Sequence, residues 1–421
     1  MAMNSRTNCP EYDRLSRRGF LGASVAATAA SLALPRTAFA HARGASRPTL
    51  IGIFLRGALD GLSTVVPYGD AALYAARGAL AVTAPGTTNG ALDLDGYFGL
   101  NPNTSGLLAP FMAGNLAFVH AVGSPDPSRS HFDAMRTMES GTPNNPTSPE
   151  ASGWLARHLQ SVSPAGTGAL RGLALNNLMP RVLAVAPSTL PIADPSRFTL
   201  PGRPASAAAR RAALGAGYSS AIAPLAPAAA STFGSIDRLA SIDFSGYVPA
   251  NGATYPVSAF GTVMRNIAAM IKADLGLEVA HYDYGGWDHH HNQGTIQGAL
   301  ADMLRDLSSA LEAFWLDMRG MEDKYLLYAK SEFGRRVAPN GNAGTDHGSG
   351  GIMLAMGHRV VGGQVHGPWP TVAPNQLDGG DLRVMTDYRD VIAEILGAGL
   401  GGTDISHVFA GHTTSPVGVV I

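Results

Sequence analysis

The chain of 421 residues carries a formal net charge of −1, with 14% of its residues charged and 45% hydrophobic. It has no Lys/Arg-rich run, so its charge pattern favours neither nucleic acid nor an anionic membrane surface as a partner. Its one cysteine, Cys9, stands near the N-terminus, which excludes a disulfide framework and leaves stability to an ordinary apolar core.

In chain order, the first recognisable element is an export signal over residues 1–40. Ser16-Arg17-Arg18-Gly19-Phe20-Leu21 matches the core of a twin-arginine signal, Leu21 to Leu34 is uncharged and apolar, and Ala38-Phe39-Ala40 supplies a small-x-small cleavage site. The apolar stretch is too short to span about 30 Å of hydrocarbon as a helix. A mature chain would begin near His41. The signal holds five Arg and two acids, so cleavage moves the formal charge from −1 to −4. Proteins on this route cross the membrane folded, which suits a chain that acquires a metal in the cytoplasm, with the twin-arginine translocase as its partner during export. No later segment is apolar for 18 residues, so no membrane-spanning helix is expected in the mature chain.

Short apolar runs at Leu50–Leu55, Leu116–Val122, Leu277–Ala280, Tyr325–Ala329 and Ile352–Met356 read as buried parallel strands. Ala259–Leu275 and Ile296–Met318 place apolar residues near a 3.6 period and read as helices, and Ala134–Glu139 reads as a shorter one. Strands alternating with helices predict an α/β protein with a doubly wound, mostly parallel sheet and helices on both faces. One domain is expected over 48–421, interrupted at 200–257 by an Ala/Pro/Ser-rich insertion that reads as helical or as a loop over the site.

Ionisable residues recur where these strands end, which is where open α/β sheets bind ligands. Asp60 follows the first strand between glycines and reads as a metal carboxylate or as a helix cap. Arg129-Ser130-His131 precedes a helix, so Ser130 reads as a nucleophile at a positive helix end or as an N-cap. Asp288-His289-His290-His291 follows a glycine pair and offers carboxylate and imidazole together, a set that suits zinc, manganese or iron more than calcium. Consecutive residues cannot all face one ion, and His290 shares a side with Asp288 in an extended segment. Glu332 follows the strand at Tyr325–Ala329, Arg335 is placed to bind an anion bidentately, and Asp346-His347 lies between glycines. Thr386-Asp387 reads as a helix start with either residue as its cap.

Phe54 to Leu62, Arg129 to Asp133, Gly286-Trp287-Asp288-x-His290, Ser331 to Arg335, Gly344 to Gly348 and Thr386 to Arg389 together resemble the bacterial domain-of-unknown-function 1501 family, in order and over about residues 48–400. That family is similar to the alkaline phosphatase and sulfatase superfamily. The resemblance implies metal ligation by Asp60, Asp288, His290, Glu332 and His347, with Ser130 in the nucleophile region. Where a phosphatase would show an Asp-His pair, this chain has Glu332-Phe333, and His131 stands as the replacement for the missing imidazole. The sulfatase signature is not met; Pro127-Ser128-Arg129 matches only its tail. The expectation is an exported hydrolase of phosphate or sulfate esters, small or polymeric. It would use a divalent metal, zinc or manganese, with Arg129 or Arg335 balancing charge on the transferred group. The alternatives are a metal- or anion-binding assembly protein with a degenerate site, and a metal-dependent redox protein.

Overall fold

The apolar run at residues 50–55 forms strand β1 (Thr49–Arg56), buried along its length except at Arg56. The computed structural model describes residues 47–421 except 146–149, 166–169, 220 and 223–224. The export signal read at 1–40 therefore lies outside the described residues. The other strands of the large sheet are β2 (Leu116–Gly123), β3 (Gly172–Ala174), β4 (Thr189–Pro191), β5 (Val279–Gly285), β6 (Tyr325–Lys330), β7 (Gly351–Gly357), β8 (Val365–His366) and β9 (Thr386–Asp387). Their order is β8-β2-β7-β6-β1-β5-β3-β4, and β9 also pairs with β2.

Every pairing in this sheet is parallel except those of β7, which runs antiparallel to both β2 and β6. The parallel expectation for Ile352–Met356 is therefore corrected. Parallel neighbours need a crossover that carries the chain back to the starting edge, usually a helix. Residues 331–350 contain no helix, so the chain turns at the edge where β6 ends and returns. The strand expected at Leu277–Ala280 lies instead at Val279–Gly285. Its second half, with His281, Tyr282, Asp283 and Tyr284, is too polar for an apolar run to reveal.

Helices cover both faces. Alternate residues of a strand point to opposite sides. Ile51, Ile53 and Leu55 accordingly pack in one core with Phe260 and Ile267 of a helix at Ala259–Lys272 and Leu304, Leu311 and Phe314 of one at Ala299–Asp317. Leu50 and Phe54 pack on the other side with Met138, Trp154, Leu155 and Ile392. Those come from α1 (His131–Ser140), from the helix at Trp154–Ser161 and from the helix at Tyr388–Glu394. The last is capped by Asp387, whose side chain accepts the Arg389 N–H, so the residue read as a cap is both cap and strand end. Within 200–257, Ala207–Ser219 and Leu225–Ala240 are helices, and the first of them buries no side chain. No helix among the described residues is long and apolar enough to cross a membrane.

Gly52, at the centre of β1, faces His281 on β5 and Tyr328 on β6 in register. A Cβ there would lie 2.4 Å from the Tyr328 hydroxyl and 2.9 Å from His281 Nδ1, and both residues are buried. Overpacking of a well-packed core costs about 1–3 kcal/mol. Gly52→Ala is expected to lower stability by that amount, read as a lower urea midpoint at unchanged slope.

The direction of β7 also places the candidate site. The carboxyl ends of β1, β2, β5 and β6 share one edge of the sheet, and the antiparallel β7 starts from that same edge. Residues 57–60, 124–131, 286–292, 331–336 and 344–350 therefore meet there.

Candidate metal centre

Four side chains converge at this edge, and the hydrogen bonds behind them determine what they present. His131 opens α1. Its Nδ1 lies 2.6 Å from Glu332 Oε1, and the same carboxylate oxygen accepts the Gly57 N–H at 2.8 Å. This hydrogen bond to the fully buried Glu332 pushes the His131 imidazole above its ordinary pKa. A proton on Nδ1 leaves Nε2 facing the site, where it is buried without a hydrogen-bond partner, 3.5 Å from Asp288 Oδ2.

His347 repeats the device with a carbonyl. Its Nδ1 lies 2.7 Å from the backbone oxygen of Arg129, which can only accept, so Nδ1 carries the proton. Burial holds this imidazole below its ordinary pKa and favours the neutral ring. In His290, Nδ1 lies 3.1 Å from Asp346 Oδ1, itself held at 3.0 Å by the Asn340 amide. All three imidazoles thus have an acceptor behind Nδ1 and turn Nε2 toward one another, the orientation that a supporting partner imposes on metal-ligating histidines.

Asp288 joins them. Its Oδ1 is 3.0 Å from His290 Nε2 and 3.5 Å from His347 Nε2. Burial would raise this carboxyl, but the Arg335 guanidinium at 2.6 Å, with His290 and His131, brings it below the usual carboxylate range. The two facing Nε2 atoms of His290 and His347 are only 2.9 Å apart. Two bare lone pairs at that distance repel, so either a proton or a cation must lie between them. Ligating atoms of His131, Asp288 and His347 all fall within 4.8 Å of one another. Ligands about 2.0–2.1 Å from a tetrahedral zinc ion stand about 3.4 Å apart. The separations of 2.9, 3.0 and 3.5 Å bracket that value. The donor set of imidazole nitrogens and a carboxylate fits a borderline divalent ion. Phe333 walls the site, with its ring 4.9 Å from that of His131 and 5.0 Å from that of His347.

The close approach of the loops depends on one glycine. Gly57 has φ +112, and a Cβ there would lie 2.6 Å from the Asp288 backbone nitrogen. Arg335 locks the same junction, donating from a buried guanidinium to the carbonyls of Gly57, Ala58, Trp287 and Thr345 as well as to Asp288.

Several residues expected in the site stand elsewhere. Asp60 is not with the histidines: it caps the turn Gly61–Thr64, and its Oδ2 is taken by Arg77, Ser63 and Gln293 in a buried ion pair. The cap reading of Asp60 describes it. Glu332 stands behind His131 rather than among the facing Nε2 atoms. Arg335 is buried and committed to the scaffold, so it has no free face for an anion. Ser130 is the exposed N-cap of α1, 3.5 Å from the Asp133 N–H. Arg129 contributes its carbonyl to His347, and its guanidinium pairs at 2.7 Å with Asp381.

Asp381 and Arg336 were not singled out in the sequence. Asp381 is fully buried, accepts from Ser349 at 2.9 Å, and lies between the half-exposed guanidiniums of Arg129 and Arg336, the latter 3.7 Å away. The backbone N–H of Arg336 donates to the Asp346 carbonyl, beside the site. The adjacent pair Arg335-Arg336 was the available signal, but nothing in it reveals that one guanidinium is buried and the other faces outward.

Glu332→Gln keeps an acceptor for Nδ1 but removes the charge behind His131. Such supporting carboxylates typically contribute 10–100-fold in affinity. Metal binding by the variant is expected to weaken by about that factor, read by chelator competition.

A family described as a protein of unknown function, DUF1501, matches residues 47–420. No curated protein matches the chain. Among solved structures, it is similar to the C-terminal periplasmic domain of EcEptC from Escherichia coli, crystallised in complex with zinc. Identity there is 12%, over 77% of this chain and 77% of that one, with a TM-score of 0.34. It is also similar to a protein in the alkaline phosphatase superfamily from Vibrio parahaemolyticus, at 10% identity over 82% of this chain and 70% of that one, with a TM-score of 0.33. The family named from the sequence motifs is the one that matches across nearly all of the described chain: the protein belongs to the DUF1501 family.

Proposed function

We propose that this protein is an exported, metal-dependent hydrolase of phosphate or sulfate esters, delivered folded by the twin-arginine signal at residues 1–40. The observation that carries the reading is the convergence of His131, His290 and His347 through Nε2 on Asp288, each with an acceptor behind Nδ1. These four residues would hold the ion, zinc or manganese. When bound, a divalent ion polarises an ester oxygen and stabilises charge on the leaving group. Arg129 and Arg336, anchored on buried Asp381, keep outward N–H donors for the anionic oxygens, a role the buried Arg335 does not fill. Phe333 limits water on one side. Ser130, exposed beside His131, is the candidate nucleophile.

A second reading, metal or anion binding without turnover, draws on one observation: the Ser130 hydroxyl has only a cap contact and no base among its partners. Elemental analysis of the protein exported by its own signal, with a panel of chromogenic phosphate and sulfate esters, separates the two. Bound metal with chelator-sensitive cleavage supports the hydrolase, and bound metal without cleavage supports the second reading. Protein with neither metal nor cleavage overturns both. Loss of cleavage in Ser130→Ala assigns the attack to that hydroxyl, and retained cleavage assigns it to water.

A further inference from the structure

On the loop that follows His290 lies a cleft of about 620 Å³ formed by residues 79–81, 83, 88–89, 292 and 294–297 together with Ala343. Its size falls within the range of about 300–1,000 Å³ typical of small-molecule sites. We infer that this cleft binds a neutral, hydroxyl-rich unit, a glycosyl group, carried by the ester that the metal centre cleaves. The assignment of an ester rests on the hydrolase reading; the assignment of a sugar rests on the cleft alone.

No ionisable side chain lines the cleft, in contrast to the metal centre. Its polar side chains include the amides of Asn89, Asn292 and Gln297 and the Thr88 hydroxyl. All four residues are exposed, so their polar groups face solvent at the cleft surface. An amide offers a donor pair and an acceptor from one planar group, which matches adjacent hydroxyls on a sugar ring and gives no advantage to a charged ligand. Leu80 and Ile296 add apolar surface for the C–H face of such a ring. An anionic ligand would find no counter-charge here, and a purely apolar one would strand the amides.

The cleft is tied to the metal centre through backbone. Asn292 follows His290 by two residues, and Ala343 precedes Asp346 by three. The N–H groups of Asn292 and Gln293 donate to the carbonyls of Asn342 and Ala343 at 2.9 Å each, stapling together the two loops that bring His290 and His347 into the site. The cleft wall at Asn292 and Ala343 therefore belongs to the same pair of loops that carry His290 and His347.

The test is saturation-transfer NMR on the full mature protein with glucose, galactose, xylose, N-acetylglucosamine and cellobiose. Asn292→Gly removes an amide at a position with φ 45, where glycine keeps the backbone unstrained. Combined with Gln297→Leu, it deletes two amides on the cleft surface and touches none of the metal-facing residues. Two such hydrogen bonds are lost, so the double variant is expected to bind the responding sugar about 5-fold or more weakly at an unchanged melting temperature. Absence of transfer from every sugar, or equal binding by the double variant, overturns the inference. A folded double variant is required, and Gln297→Leu alone, expected at about a few-fold weaker binding, provides the same reading if the pair fails to fold. Sugar binding that persists in Asp288→Ala while ester cleavage is lost supports both readings separately. Sugar binding with no ester cleaved by the wild type would leave the cleft standing and remove the hydrolase.

Discussion

Asp288→Ala should abolish bound metal and reduce ester cleavage by more than about 100-fold, the upper end of what removal of even a supporting group costs at a metal site. Among the described residues, the Asp288 carboxylate approaches all three imidazoles, at 3.0 Å from His290 and 3.5 Å from His131 and His347. Without it, two facing Nε2 atoms 2.9 Å apart lose the negative charge that makes a cation between them favourable. The loss should not be a folding defect. Asp288 is half-exposed, and its buried partner Arg335 keeps four backbone carbonyls as acceptors. Melting within a few degrees of wild type, with metal content near zero by elemental analysis, is the expected pair of results. Full metal content in the variant would remove Asp288 from the ligand set, and Asp288→Asn tests whether charge or shape matters.

Arg77→Ala should produce the largest loss of stability of any substitution considered. The guanidinium of Arg77 donates to Asp60, Ser63 and the Val337 carbonyl from a fully buried position, and Asp60 is buried with it. Breaking a buried pair by removing one partner costs about 3–5 kcal/mol because the remaining charge is left uncompensated. The sign of the pH dependence identifies the mechanism. Burial works to raise the Asp60 carboxyl, but Arg77, with hydrogen bonds from Ser63 and Gln293, holds it below the usual range. The pair's contribution is therefore complete above the unfolded carboxyl pKa of about 3.9 and is lost as pH falls through the lower folded value. In Arg77→Ala burial's upward push is opposed only by the Ser63 and Gln293 hydrogen bonds, so the carboxyl rises relative to the wild type. The variant should therefore show less of the stability loss that the wild type shows on acidification. Urea denaturation at about pH 2.5 and at pH 7 reads the loss in the wild type and its reduction in the variant.

Part of the candidate site was legible in the sequence. Asp288 and His290 sit two apart in an extended loop, and an extended segment turns alternate side chains the same way, so their meeting follows from local geometry. The N-caps at Asp60, Ser130 and Asp387 follow from local competition for backbone N–H groups in the same way. Glu332 and Asp60 were harder to place. Each is an acid just after an apolar strand, and whether it faces an ion, an imidazole or a buried arginine depends on which distant or neighbouring loop supplies the partner. Arg77 settles Asp60, and His131 settles Glu332.

The sequence by itself determined the central strands, the helices at Ala259–Lys272 and Ala299–Asp317, the two-sided sheet they imply and the edge where chemistry-bearing residues gather. Those features follow from periodicity and from apolar runs that must be buried. Only the tertiary structure decided the direction of β7, because pairing direction is set by where the preceding loop leaves the chain and not by side-chain pattern. It also decided which of two adjacent arginines is a scaffold and which faces outward, and which acids back the histidines. Those are contests among charges for burial and partners, and they are settled only when distant loops share one edge of the sheet.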